Sequence, residues 1–346
     1  MIERAQRLAD DVLFPAAQDV DRGAIPATHF EAMADAGLFS IVDLPPSDAR
    51  RTIAAIGGGC GATFFVWVQH HGVLRAVTSS TNTDLRDRLE APLRAGTIIG
   101  GTAFAHVRRD GPAAVTATRT SDGWRLDGLA PWATSWGIAR RFCVAAETDD
   151  GRIVWSMISG DRPAGVTETS LGLPVFAATG TVALAFDGCV VDDADVVAID
   201  DAHDWRRADR RRASVGQPAI LGVGERAIRL IRTASRGGSD EALRTARRLS
   251  DELSRLWAND DALIAGLGDG DDLVEAASDH RAECLTFGQQ ATMALLAAVG
   301  GMGMDLGHPA QRLAREAAFY VIQAQTVDGR TATLRSIVSP GVRHQA

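Results

Sequence analysis

Hydrophobic positions along the chain follow two periods. From the start to about residue 97 they recur every three or four residues. Ile2, Leu8, Val12, Leu13 and Ala16 form one set, and Phe30, Met33, Ala34 and Leu38 another, with Gly37 near the stop. Gly61 to Ser79 carries an apolar face that includes His70 and His71. From residue 98 the period falls to two. Val115-Thr-Ala-Thr-Arg-Thr alternates, Ser121-Asp-Gly turns, and Trp124-Arg-Leu resumes. Phe142-Cys-Val-Ala-Ala and Ile153-Val-Trp-Ser-Met-Ile flank a second turn at Asp149-Asp-Gly, and Thr181-Val-Ala-Leu-Ala-Phe and Cys189-Val-Val close the set. These are hairpin signals of an antiparallel sandwich or barrel. Beyond residue 205 the helical period returns. Ile220, Gly224, Ala227, Ile228 and Ile231 share one face, and Leu243, Ala246, Leu249, Leu253 and Leu256 share another. Residues 271–299 and 309–324 predict two further helices, and the acidic stretch from Leu267 reads as a loop. The expected fold is α+β and multidomain: a helical N-terminal domain over 1–97, a middle β domain over 98–205, and a C-terminal four-helix bundle over 206–346.

Composition narrows the chemistry. The 346 residues are 46% hydrophobic, as in an ordinary soluble globular protein, and a chain of this length buries a core without disulfides or metals. Acidic residues number 44 against 36 basic ones, a formal charge of −8, which argues against nucleic acid as a partner. All the basic residues are arginine. Without a lysine there is no phosphate-loop NTPase, no pyridoxal enzyme and no Schiff-base aldolase. Cys60, Cys143, Cys189 and Cys284 are scattered, with neither zinc nor redox spacing, and read as buried thiols of a reducing cytoplasm. The first residues are amphipathic and charged rather than an export signal, and the most apolar window, 62–68, is too short to span a bilayer.

Generic motifs fail one by one. Gly57-Gly-Gly-Cys-Gly lacks the strand–turn–helix setting of a phosphate cradle. His70 and His71 are adjacent, so they point to different faces of a helix and read as packed or pocket-lining rather than as metal ligands. Trp205-Arg-Arg-Ala-Asp-Arg-Arg-Arg is either a solvated helix start or a greeting for ligand phosphates.

A combination says more. Gly123-Trp-Arg-Leu-Asp-Gly-Leu-Ala-Pro-Trp-Ala-Thr-Ser lies in the β zone. Leu171-Gly-Leu precedes Thr181-Val-Ala-Leu-Ala-Phe-Asp-Gly-Cys-Val-Val. Ala298-Val-Gly-Gly-Met-Gly-Met precedes Pro309-Ala-Gln-Arg-Leu-Ala-Arg-Glu-Ala. With the helix–sheet–helix order, this resembles the acyl-CoA dehydrogenase superfamily, collinearly over nearly the whole chain. The resemblance implies FAD as cofactor. Trp132 and Thr134, with Ser135 next, would lie beside the isoalloxazine ring, where an indole offers a flat wall and a hydroxyl tunes the redox centre. Gly300 and Gly301 would approach the pyrophosphate of a neighbouring subunit's FAD, because glycine brings backbone N–H groups close to phosphate oxygens. Thr102 and the backbone after it would also contact flavin, and Thr326 is assigned to the same cofactor set.

The departures from the family pattern are as informative. The acidic and serine partners of the family's first β-domain loop are missing from Gly101-Thr-Ala-Phe-Ala-His-Val-Arg-Arg, and the segment from Arg232 is shortened. The family's catalytic glutamate falls at Ala324, followed by Gln325 and Thr326, and alanine accepts no proton. The family's other base position falls at or beside Arg212, which is not a base either. One turn of slippage leaves Asp209 and Glu225 as candidate bases. Three functions follow from the resemblance: an FAD-dependent dehydrogenase acting on acyl-CoA or another acyl thioester with a separate electron acceptor, a flavin monooxygenase needing no base, or an inactive subunit of a heteromeric dehydrogenase. In the monooxygenase, His70, His71 or His106 would move protons. A cytoplasmic homo- or hetero-oligomer, dimer or tetramer, is expected, driven by an apolar face on the C-terminal helices.

Overall fold

The computed structural model describes residues 1–109, 111–216, 218–234, 240–266 and 273–338. The acidic loop from Leu267 and most of the segment after Arg232 lie outside the described residues. The chain divides into two compact units. One comprises Met1, Asp19–Leu44 and Ala62–Asp209; the other comprises Ile2–Gln18, Pro45–Gly61 and Arg210–Ala346.

The first unit is built on one sheet. Its strands are β1 (Gly100–Ala103), β2 (Val115–Arg119), β3 (Gly123–Ala133), β4 (Arg141–Glu147), β5 (Arg152–Ser159), β6 (Val166–Ser170), β7 (Val182–Asp192) and β8 (Val196–Asp201). The order is β6-β7-β3-β2-β4-β5-β8, with β1 on β4. The hairpins read from the alternating pattern are present, but the sheet is mixed: β1 and β2 each pair with β4 in parallel. A parallel contact joins residues distant in sequence, and no turn signal announces it. Two β-bulges shape the β3–β7 ladder. In the second, Ala130 faces Leu184 and Ala133 faces Val182, so β3 carries one extra residue just where Trp132 lies.

Helices α3 (Ala27–Asp35), α5 (Gly61–Thr78) and α6 (Thr83–Arg94) belong to that unit, apart from Gly61, which belongs to the other. Asn82 caps α6 by accepting from the Leu85 N–H at 3.1 Å. Val73, Leu74, Val77, Leu85, Leu89 and Leu93 pack with Cys143 and Met157 of the sheet. His70 ties three pieces together. Its Nε2–H donates to Leu93 O at 3.1 Å, which leaves Nδ1 to accept the Gly100 N–H at 3.1 Å at the head of β1. Burial, with His71 adding to it, lowers the His70 pKa to about 3. His71 donates from Nδ1 to Trp67 O at 2.8 Å, and burial lowers its pKa to about 4. Both are neutral packing residues in aromatic company, with Phe39 and His70 rings 4.8 Å apart.

The second unit is helical. It contains α1 (Ile2–Leu8), a π-helical turn (Ala9–Leu13), the start of α2 (Phe14–Arg22), α4 (Pro46–Gly59), the end of α7 (Ala202–Ser214), α8 (Ala219–Ala234), α9 (Asp240–Gly266), α10 (Leu273–Val299), α11 (Pro309–Ile322) and α12 (Val327–Val338). Helix α10 lies against α8, α9, α11 and α12. The Gly57-Gly-Gly run ends α4 where that helix crosses α8. A Cβ on Gly58 would meet Gly222 O at 2.6 Å, and one on Gly222 would meet Ala54 O at 1.8 Å, so the glycines serve helix contact. The π-turn presents Asp10 to Arg226 and Arg229 of α8. All four cysteines are buried and free, and burial raises the thiol pKa of Cys143 to about 12. No described helix is long and apolar enough to cross a membrane.

Candidate functional site

The segment Trp132–Trp136 is where the sheet breaks its own rules. The bulge in β3 turns the Trp132 indole outward, 44% exposed, while Ala133 beside it is buried. Thr134 forms an isolated antiparallel bridge to Thr102, its N–H donating to Thr102 O at 3.1 Å. Gly101 permits this approach, since a Cβ there would meet Thr134 O at 2.8 Å and the Phe142 ring at 2.5 Å. Ser135 then adopts φ +80°. A non-glycine residue in that region carries strain of order 1–3 kcal/mol, which concentrates at functional sites. Its N–H donates to Thr179 O at 3.0 Å, and that of Trp136 to Gly180 O at 2.9 Å.

The opposing strip was missed in the sequence. Phe176, also at φ +60°, stacks on Phe65 and turns the chain into Thr179-Gly-Thr181. Thr179 Oγ1 donates to Phe176 O at 2.7 Å and lies 2.8 Å from Thr181 Oγ1, which in turn lies 3.2 Å from Thr134 Oγ1. Two threonines at alternate positions just before a strand were the available signal. Thr102, Thr134 and Ser135 are thus brought together with Thr179 and Thr181, and Trp132 stands at their edge. The Ser135 hydroxyl is fully buried and has no hydrogen-bond partner among the described residues. An outward indole, a hydroxyl chain and an orphaned polar atom fit a planar, heteroatom-rich ring such as a flavin.

The other predicted residues sit as follows. Asp209, on α7, is 7% exposed, and both its oxygens accept from Arg108, at 2.7 and 3.0 Å. Glu225, on α8, accepts from Arg229 at 2.7 Å. Gly300, at φ +60°, and Gly301 are exposed, with nothing within 4 Å of a Cβ on either. Thr326 caps α12, its Oγ1 accepting the Gly329 N–H at 3.1 Å. Ala324 stands at φ +48° between α11 and α12. This loop is clamped by Arg281 of α10, a residue the sequence reading passed over. The guanidinium, 5% exposed, donates to Gln323 O at 2.5 Å, Ala324 O at 3.0 Å and Ala213 O at 2.7 Å. The signal was an arginine among Ala277, Ser278, Cys284 and Leu285 on a buried face. Two arginines of the basic run are spent internally: Arg206 on Glu147 at 2.6 Å, and Arg210 on Asp328. His106 donates to Ala145 O at 2.8 Å, and its pKa is lowered by burial.

The sheet order and the helical bundle together define the acyl-CoA dehydrogenase fold. Butyryl-CoA dehydrogenase from Megasphaera elsdenii superimposes with a TM-score of 0.81 at 14% identity, over 97% of each chain. A glutaryl-CoA dehydrogenase from Mycobacterium smegmatis in complex with FADH2 gives 0.79 at 13% identity, covering 99% of this chain and 95% of the other. KijD3 in complex with dTDP gives 0.77 at 19% identity, over 98% and 96%. No protein-family model and no curated sequence matches the chain.

Proposed function

We propose that the protein is a flavin-dependent oxidoreductase that holds FAD against the Trp132–Thr134 wall. The observation that carries this reading is the outward indole beside a hydroxyl chain on a strained turn. Trp132 would cover one face of the ring and Thr134 would meet its polar edge. Thr102 and Ser135 hold the turn in shape. The exposed Gly300 and Gly301 are assigned to the pyrophosphate of a neighbouring subunit's FAD, and Thr326, which caps the helix after the loop, to the same cofactor set. The flavin would supply two-electron chemistry; the chain supplies binding, orientation and exclusion of water.

The likeness in fold to enzymes named for CoA thioesters favours an acyl-CoA or related thioester as substrate, with reoxidation by a separate electron acceptor, in a cytoplasmic homo- or hetero-oligomer. A second reading, oxygen-dependent monooxygenation, is favoured by the carboxylates. Asp209 and Glu225 are both engaged by arginine, and Ala324 has nothing to accept a proton. A monooxygenase needs no α-proton base, and its proton movements would fall to neutral imidazoles such as His106. Anaerobic addition of acyl-CoA to the FAD-loaded protein bleaches its visible flavin absorption if the thioester reading holds. Oxygen uptake on supplying reduced flavin, without such bleaching, selects the monooxygenase. Failure of either flavin state to bind leaves the subunit role.

A further inference from the structure

The strip that holds the Trp132–Trp136 turn starts from a residue in the wrong conformation for its type. The β3–β7 ladder ends at Ala133 and Val182. Beyond that pair the two segments stay together by three contacts. The Ser135 N–H donates to Thr179 O at 3.0 Å, the Trp136 N–H to Gly180 O at 2.9 Å, and the Thr181 hydroxyl to that of Thr134 at 3.2 Å. All three need the Thr179–Thr181 backbone at one height, and Phe176 sets it. Its carbonyl accepts the Thr179 N–H at 3.0 Å and the Thr179 hydroxyl at 2.7 Å, which closes the turn over Ala177–Thr179. The carbonyl is so aimed because Phe176 stands at φ +60°, ψ +26°. Glycine, asparagine and aspartate take that region readily, and a bulky aromatic does not. A force from outside the turn must hold it there. It comes from Phe65 on α5. The two rings lie 5.7 Å apart and 23° from parallel, and both side chains are buried. Stacked rings at this separation attract beyond the apolar area they bury.

We infer that Phe65 is a positioning residue for the flavin wall. By stacking on Phe176 it keeps that residue left-handed, and so keeps Thr134 and the Trp132 indole where the ring binds. The inference rests on the flavin reading above. Phe65 acts through Phe176 and the Thr179–Thr181 strip, not on the flavin itself. Without the stack the strip populates other conformations, and FAD affinity falls with the fraction that stays competent. An aromatic pair corresponds to about tenfold in such an equilibrium.

The experiment is a double-mutant cycle in the full-length protein. It is read by FAD titration on tryptophan fluorescence and by amide hydrogen exchange of the flavin-free protein. Phe65→Leu keeps an apolar side chain and removes the stack. It should weaken FAD binding about tenfold. It should also speed exchange at Ser135 and Trp136 about tenfold beyond any change at Cys143 and Val144 of β4. Phe65→Tyr keeps the stack and should keep both values. Glycine takes the left-handed region unaided, so in a Phe176→Gly background Phe65→Leu should change either value by less than about twofold. An effect of equal size in the two backgrounds overturns the inference, because Phe65 then acts by another route. So does wild-type affinity, or exchange that rises no more at Ser135 and Trp136 than at β4, in folded Phe65→Leu. Should Phe176→Gly fail to fold, the two Phe65 variants still decide, and an equal loss in both overturns the inference. No FAD binding by wild type overturns the flavin reading itself, and the exchange rates then still report whether Phe65 holds the turn.

Discussion

Ser135 and Ala324 are two of the four described non-glycine residues in the left-handed region, and they are held there by opposite means. Ser135 is fixed by backbone N–H groups that reach across to the Phe176–Thr181 strip, beside an outward tryptophan. Ala324 is fixed by a buried guanidinium that fills three carbonyls with its donors. In the first, strain sits next to an exposed aromatic and an orphaned hydroxyl. In the second, the loop at which the family resemblance would place a base is tied down by Arg281, and the strained residue has no polar side chain. Of the two strained residues, only Ser135 carries a buried polar atom without a partner among the described residues, and its turn is the one proposed as the site.

The contrast can be broken from either side. The largest effect is expected from Arg281→Met, which strips three buried carbonyls of their donor. Urea denaturation should show a loss of roughly 3–5 kcal/mol, and a loss below about 1 kcal/mol would mean the clamp is ornamental. Next comes acid. The folded pKa values of His70 and His71 lie below the ordinary 6.5, so the unfolded chain binds more protons and stability falls as pH drops through 6.5. From pH 7 to 5.5 the two imidazoles together account for about 2.5 kcal/mol. His70→Gln should flatten that dependence in Tm against pH, and a dependence that persists unaltered would refute the assignment. Ala324→Gly relieves a positive φ while Arg281 stays in place, and should raise stability by about 1 kcal/mol. The smallest change in stability, under about 0.5 kcal/mol, is expected from Trp132→Ala, because the indole is largely outward. The same variant should weaken FAD binding about tenfold, and full retention of affinity would remove the indole from the site.

Much of the architecture was legible because it is periodic. Helical repeats at both ends and Asp-Gly turns between alternating strands gave the order of elements, and the Trp132–Thr134 segment stood out by residue type. The parallel pairing of β1 with β4 was hidden, since it joins residues some forty apart with no local turn between them. Thr179 and Thr181 were hidden for a related reason: a hydroxyl gains meaning only from the carbonyl it finds, here Phe176 O, and that partner exists only after the chain has bent. Arg281 was passed over because a lone cation on an apolar face suggests an exposed edge until three carbonyls are seen around it.

The buried cysteines have a practical side. Every thiol is enclosed, with burial raising the pKa values of Cys143, Cys189 and Cys284, and the sequence contains no side-chain amine. The folded protein is therefore nearly blank to maleimides and to lysine-directed reagents. A single cysteine introduced on a solvent-facing strand position, such as Val190, would take a fluorophore or spin label without background.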